Sequence, residues 1–403
     1  MRRLVRCWIS IWLAVAGFAS AGERATCEYV PTSDWMSEFQ TVTVKDLTLA
    51  GSHDSGCVED KYHKSSQKLT ERSRKPKAGH AQSLNITGQL DAGIRMLDVR
   101  FGLNPFGSTY RLCHGEVNTH LTRYCYQTAE EYGLELGKWS AAHPTELVIV
   151  RVKFEGGDGS DKSKKRKALQ NFRKAIDAGC ATSTSTQTAT AKVCGVVDAS
   201  DPRLKKKKWF EYKVGELVST FGSVVVLHYK LPHTKQNFMF SYKEFQQGRY
   251  SNSLQISEVI DGQHANFVSW NDAKGKTKPP TFGWWMTFTA PRKLGKMLRH
   301  LIKNGTYNVH ANTPTLRGRP FFGWISELVA RYIGDGTGMK GWTVWFDFAG
   351  EEQGDIGLAL QYVNRVAHNK QGLSVQDVVD GIRHFYGIRP KSTEEKKLEG
   401  LLG

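Results

Sequence analysis

Short apolar runs alternate with segments of helical spacing along almost the whole of this chain. Glu146 to Phe154 (ELVIVRVKF), Ser223 to Tyr229 (SVVVLHY), Trp284 to Thr289 (WWMTFT) and Gly341 to Phe348 (GWTVWFDF) read as buried strands. Arg95 to Phe101 alternates apolar and charged residues, as a half-buried strand does. Val42 to Leu49 reads as a strand entering a Gly51-Ser52 turn, and Tyr110 to His114 as a short strand. Helical spacing covers Leu84 to Ala92, Ser163 to Ala178, Trp209 to Thr220, Leu294 to Lys303 and Ile325 to Tyr332. It also covers Thr128 to Ala142, with Tyr132, Leu136 and Trp139 on one face and His143-Pro144 as the stop. No Pro-rich linker and no internal repeat interrupts the pattern. The expectation is an α/β fold: a single (β/α) barrel, TIM-barrel-like, distorted or incomplete, with surface insertions. Its core is placed at about residues 40–350 of a domain running over 22–403. The polar stretch Glu59 to Gln82 and the low-complexity stretch Thr182 to Thr190 are the expected insertions.

The first residues have another purpose. Arg2, Arg3 and Arg6 precede an apolar run from Cys7 to about Phe18, and Ala19-Ser20-Ala21 follows. That is the plan of a secretory leader over residues 1–21, cleaved after Ala21. The run is short for a membrane anchor. Removing Cys7 with the leader leaves Cys27, Cys57, Cys113, Cys125, Cys180 and Cys194, an even number that suits disulfides in an exported chain. The short loops Cys113–Cys125 and Cys180–Cys194 close most easily, which leaves Cys27–Cys57, though the sequence permits other pairings. The formal charge is +17, and without the three leader arginines it is +14. Such a chain is drawn to anionic surfaces. An exported protein meets membranes rather than nucleic acid, so no nucleic-acid partner is expected. Lys164-Lys165-Arg166-Lys167 and Lys205-Lys206-Lys207-Lys208 have the composition for binding anionic headgroups. Trp209-Phe210, beside the second cluster, fits the core better than an interface.

In a βα barrel the reactive groups lie at the C-terminal ends of strands. His53-Asp54 follows the first strand, Asp98 and Arg100 end the next, His114 ends another, and Asp347 ends the GWTVWFD run. Two histidines, carboxylates and an arginine suit general acid–base attack on a phosphodiester. One histidine takes a proton from the nucleophile and the other gives one to the leaving oxygen. A carboxylate beside each ring orients it, and Arg100 offers forked donors to a phosphate oxygen. Each residue also has an ordinary use. Asp54 can cap a turn, Arg100 can be an ion-pair partner, and a histidine at a strand end is most often a solvated loop residue.

Three segments sharpen the choice. Leu49-Ala50-Gly51-Ser52-His53-Asp54-Ser55-Gly56, Gln89 through Arg100 (QLDAGIRMLDVR) and Leu112-Cys113-His114-Gly115 resemble, in order and spacing, the X-region signature of phosphatidylinositol-specific phospholipases C. Looser matches at His143-Pro144-Thr145-Glu146, Trp284 to Thr289 and Gly341 to Asp347 extend the likeness over most of 40–350. The resemblance implies that His53 is the general base on the inositol 2-hydroxyl and His114 the general acid on the diacylglycerol oxygen. It implies that Asp54 pairs with His114, that Asp347 supports His53, and that Asp98 joins the same network. Arg100 stands where metal-independent bacterial-type members carry arginine and calcium-dependent members an acidic ligand, so no metal and no cofactor is expected. Lys153 resembles an inositol- or phosphate-contacting lysine, with a solvated strand-end lysine as the ordinary alternative. The bacterial members' substrate-contacting arginine has no counterpart in His228-Tyr229-Lys230. The implied function is a secreted phosphodiesterase acting on a phosphatidylinositol-containing membrane surface, and on GPI-anchored proteins, as a monomer. The alternatives are a related barrel phosphodiesterase with another head group and a non-catalytic lipid- or glycan-binding barrel.

Overall fold

A computed structural model describes residues 32–58, 81–82, 84–103, 109–114, 124–155, 162–182, 194–229, 236–251, 256–272, 278–286, 341–346 and positions within 361–368. The expected leader, Cys27, Asp347, most of both expected insertions, and the helices expected at 294–303 and 325–332 lie outside these residues. The described residues lie in one compact unit, Pro31–Gly403. Its strands are β1 (Leu49–Ser52), β2 (Met96–Leu103), β3 (Tyr110–His114), β4 (Tyr124–Thr128), β5 (Val148–Phe154), β6 (Val224–His228), β7 (Phe240–Ser241), β8 (Gln246–Gln247), β9 (Thr281–Met286) and β10 (Trp342–Phe346). The helices are α1 (Ile86–Asp91), α2 (Ala129–Ala142), α3 (Lys162–Thr182), α4 (Val214–Thr220), α5 (Tyr242–Phe245) and α6 (Ile256–Asn271). Among the described residues no helix is long and apolar enough to cross a membrane.

The sheet runs in the order β7-β6-β5-β2-β1-β10-β9-β8. Every pairing along that path is parallel. The first strand thus lies beside the last, and the path's two ends, β7 and β8, are joined by the single turn α5. The sheet curls back on itself as an incomplete barrel, closed by chain connectivity where hydrogen bonding stops. Side chains alternate across each strand. Leu49, Met96, Ile149, Val225, Leu227, Trp285 and Trp345 line the interior with Trp35, Phe39 and Leu47 beneath them. Leu97, Val99, Val150, Val226, Phe282, Trp284 and Val344 face the helices. Gly51 pairs with Trp345 across β1 and β10. A Cβ at Gly51 would stand 2.7 Å from the Trp345 ring, so glycine is what admits the indole to the interior.

The helices follow local rules. Asn85 accepts a hydrogen bond from Gly88 N–H and caps α1. Thr128 and Glu131 form a capping box at the start of α2. Glycines let α2 and α3 touch: a Cβ at Gly137 would meet Ile176 O at 2.1 Å, and one at Gly179 would meet Leu134 O at 2.4 Å. At the strands' N-terminal end, Arg95 and Glu146 form a fully buried pair at 2.7 Å. Arg95 also donates to Ser33 O, Leu90 O and Ile94 O, and Glu146 accepts from Met36 N–H. Burial raises the Glu146 pKa against the pull of Arg95. This network anchors the bottom of the barrel, where a barrel carries stability rather than chemistry.

Several expectations need correction. Residues 42–49 are not a strand: a 3-10 turn, Val44–Asp46, precedes β1, and Gly51-Ser52 lies inside β1. The helix expected over 209–220 is split into a 3-10 turn, Trp209–Glu211, and α4. Both Trp209 and Phe210 are buried. The strand expected from Trp284 starts earlier, at Thr281. Bridges Cys113–Cys125 and Cys180–Cys194 form, but Cys57, expected to pair with Cys27, is a buried free thiol, and Cys27 lies outside the described residues. Finally, β3 is not a barrel strand. It runs antiparallel to β2 and to β4, so His114 arrives on an appended hairpin.

Candidate active site

The site sits where β1, β2 and β5 end and the hairpin folds over them. After Ser52 the chain turns, and Asp54 takes a φ of 49°, in the left-handed region. Aspartate tolerates that conformation better than most residues. The turn is tied down: Ser55 N–H donates to Asp98 O at 3.0 Å, Cys57 N–H to Asp54 O at 2.8 Å, and the Gln82 amide to His53 O at 2.5 Å. On β2, Asp98 and Arg100 share the inward parity of Met96, so a strand that begins apolar at the bottom becomes charged at the top. Cross-strand pairs set Asp98 beside Arg151 and Arg100 beside Lys153.

Arg100 is the hub. Its Nε lies 2.5 Å from Asp54 Oδ1 and donates to Asp98 Oδ2 at 2.9 Å. One terminal nitrogen donates to Glu155 Oε1 at 2.9 Å. The other donates to the Tyr250 hydroxyl at 2.6 Å and lies 2.5 Å from His53 Nε2. A guanidinium has no acceptor, so that last contact requires a lone pair on His53 Nε2. The His53 ring is held edge-on by Tyr250 and Trp285, at centroid distances of 5.5 and 6.0 Å. Asp98 is shared, accepting from Arg151 on Oδ1 and from Arg100 on Oδ2. The Arg151 guanidinium stacks over Tyr229 at 4.2 Å and over Tyr242 and Trp285 at 4.9 Å. Glu155 joins Lys153 to the cluster, 2.8 Å from its Nζ.

His114 stands on the other side of Asp54, its Nδ1 2.8 Å from Oδ2; His53 Nε2 is 3.6 Å from the same oxygen. Burial works against protonating His114, yet the Asp54 carboxylate prevails and raises its pKa above the usual histidine value. Asp54 is fully buried, which would raise its own pKa. Arg100 and the two histidines overcome that and hold it well below the usual carboxylate range. Burial likewise opposes ionisation of Asp98, and Arg100 and Arg151 bring its pKa down. Burial, with Arg100 nearby, lowers the Lys153 pKa against the pull of Glu155. Among these described groups the carboxylates of Asp54, Asp98 and Glu155 face the cationic side chains of Arg100, Arg151 and Lys153, with the His114 ring against Asp54.

The structure therefore brings His53, Asp54, Asp98, Arg100 and His114 into contact and links Lys153 to them through Glu155, while Asp347 lies outside the described residues. Donor atoms of His53, Asp54 and Asp98 approach within 4.8 Å of one another, the spacing of a cation site. The Arg100 guanidinium touches all three and fills that ground with its own charge. Sequence reasoning missed Arg151, Glu155, Tyr250 and Trp285. Parity along ELVIVRVKFE could have found the first two, since Arg151 and Glu155 share a face with Lys153. Nothing in the sequence around Tyr250 marks it.

No family model matches the chain. The PI-PLC X domain-containing protein 1 of Mus musculus is 32% identical over 156 residues, which is 34% of this chain and 44% of that protein. The Homo sapiens protein of the same name is 33% identical over 144 residues, 30% of this chain and 42% of that protein. The chain thus spans less than half the length of these curated relatives. Among solved structures, a phosphatidylinositol-specific phospholipase C from S. aureus superposes with a TM-score of 0.50 at 12% identity, covering 83% of this chain and 97% of that one. The Listeria monocytogenes enzyme of the same description gives a TM-score of 0.47 at 15% identity, covering 83% of this chain and 99% of that one. The S. aureus superposition is a likeness of fold, and it agrees with the incomplete barrel.

Proposed function

We propose that this chain, a third of which is similar to a PI-PLC X domain-containing protein, is a secreted phosphodiesterase of the phosphatidylinositol-specific phospholipase C family that cleaves phosphatidylinositol without a metal ion. The products are diacylglycerol and 1,2-cyclic inositol phosphate, and the same linkage in GPI anchors is a further substrate. The leader pattern and the two disulfides support export. The observation that carries the reading is one buried carboxylate set between two histidines in different surroundings. Asp54 raises the pKa of His114, while His53 Nε2 faces the Arg100 guanidinium.

In the reaction the inositol 2-hydroxyl oxygen attacks phosphorus while His53 Nε2 takes its proton. The phosphorus–oxygen bond to diacylglycerol breaks as His114 gives a proton to the leaving oxygen. Nδ1 of His114 faces Asp54, so Nε2 is its working atom. A bound phosphate draws the Arg100 donor away from His53, which frees the base and neutralises charge on the phosphoryl oxygens. Lys153 supplies a second cation beside Arg100, and Tyr250 and Trp285 fix the base. The decisive assay presents phosphatidylinositol vesicles to the protein in chelator. Cyclic inositol phosphate is expected, and His53→Ala or His114→Ala lowers its rate by roughly 10²-fold or more. Turnover with no cyclic product, or unchanged turnover in both variants, overturns the reading.

A further inference from the structure

One nucleophilic group beside the site has no part in this chemistry. Cys57 is a buried free thiol three residues beyond Asp54 on the turn that follows β1. The hairpin β3–β4 covers it, with Tyr126 and Ala81 packed against it. Its ligating sulfur, a carboxylate oxygen of Asp54 and a ring nitrogen of His114 all lie within 4.8 Å of one another. We propose that Cys57, His114 and Asp54 form an inhibitory binding site for a thiophilic divalent cation, Zn²⁺ or Cd²⁺.

A thiolate, an imidazole and a carboxylate are a tetrahedral donor set for such ions, with the fourth position left to water. The hard ions Mg²⁺ and Ca²⁺ want oxygen ligands in greater number. Metal bonds near 2 Å set neighbouring donors ~3.3 Å apart. The Asp54–His114 contact of 2.8 Å must therefore open by about half an ångström, a small motion for a hairpin-borne side chain. The His114 side chain is 24% exposed, which gives the ion an entry from the mouth while the other two ligands stay dry. The thiol proton and the imidazolium proton both leave to solvent as the ion binds, so binding tightens as pH rises. The bound ion removes the proposed acid and its partner carboxylate together. The inhibitory consequence rests on the function proposed above, whereas the binding does not.

Titration of the whole protein with Cd²⁺, followed by the thiolate-to-cadmium charge-transfer absorption, tests the binding, and Zn²⁺ inhibition of phosphatidylinositol cleavage tests the consequence. The wild type should show the band and lose turnover with Zn²⁺ but not with Mg²⁺. Cys57→Ser and Cys57→Ala should both lose the band and raise the inhibitory Zn²⁺ concentration by more than about tenfold. No band in the wild type, or an equal band in both variants, overturns the site. A chain that cleaves no phosphatidylinositol yet shows a Cys57-dependent band refutes the function and keeps the site. A chain that cleaves it and shows no band does the reverse.

Discussion

Asp54 Oδ2 lies 2.8 Å from His114 and 3.6 Å from His53, so one buried carboxylate stands between the two histidines. It raises the pKa of His114, the proposed acid, and Arg100 beside it holds the pKa of the carboxylate itself well down. Asp54→Asn preserves shape and removes charge. The His114 pKa then falls, so the alkaline limb of kcat/KM moves to lower pH, and kcat drops by roughly 10²- to 10⁴-fold. A pH–rate profile of the variant checks this, and an unmoved alkaline limb rejects the role given to Asp54. Stability follows the same linkage. The raised His114 pKa contributes stability that is complete below the unfolded value of about 6.5 and is lost as pH rises through the folded value. The depressed Asp54 and Asp98 pKa values contribute stability above the unfolded value of about 4, lost as pH falls through their folded values. Urea unfolding across the acid range should therefore show a shallower acid loss in Asp54→Asn than in the wild type.

The hairpin β3–β4 is the element that completes the site, and among the described residues its strand pairing to the barrel is that of β3 with β2. His114 is the last residue of β3 and pairs with Tyr124, next to the Cys113–Cys125 pair that carries the disulfide. The bridge closes a short loop, worth about 3 kcal/mol on chain-entropy arguments. Its greater effect is to hold His114, the proposed acid, against Asp54 within the narrow tolerance that proton transfer demands. Replacing both cysteines by serine should lower kcat by roughly tenfold or more while the far-ultraviolet circular dichroism keeps its barrel signature, and unchanged kcat rejects the positioning role. This element also marks what the sequence could and could not convey. The parallel strands β5, β6, β9 and β10 were legible because each carries a run of β-branched or aromatic residues buried on both faces, as in ELVIVRVKF and SVVVLHY, whereas β7 and β8, two residues each, carry no such run. His53 was legible through strand-end position; Asp98 and Arg100 were expected at a strand end but lie within β2, which runs on to Leu103. His114 was found for a partly mistaken reason, because a short alternating run such as Tyr110–His114 does not say whether it pairs parallel or antiparallel. β4 and α6 were missed: the first is short, and the second, ISEVIDGQHANFVSWN, mixes polar residues into every turn. Arg151 was hidden by its chemistry, since a cation inside an apolar strand reads as solvated until Tyr229, Tyr242 and Trp285 are seen around it.

Across the whole molecule the basic clusters separate by end. Lys165 Nζ lies 5.6 Å from the centre of the Phe154 ring, and Phe154 closes β5, so the first turns of α3 stand at the mouth of the barrel. The second cluster, Lys205 to Lys208, belongs to the opposite end. Val197 N–H donates to Val224 O at the start of β6, and Val44 N–H, ahead of β1, donates to Tyr212 O. There Lys207 and Lys208 are also paired, with Glu216 and Glu244. A barrel whose mouth meets a membrane can bring only the first cluster to the headgroups. Each basic residue at an anionic surface contributes ~1 kcal/mol, so Lys164→Gln, Lys165→Gln, Arg166→Gln and Lys167→Gln together should weaken binding to vesicles rich in anionic lipid by up to ~4 kcal/mol. The loss should shrink as salt screens the wild type. The matching quadruple change at Lys205 to Lys208 should leave vesicle affinity within about twofold, since charges at the far end lie beyond a Debye length of the surface. Cosedimentation with vesicles of graded phosphatidylserine content measures both. Equal losses from the two clusters would mean that the barrel does not meet the membrane mouth first, and the route by which lipid reaches His53 and His114 would have to be drawn again.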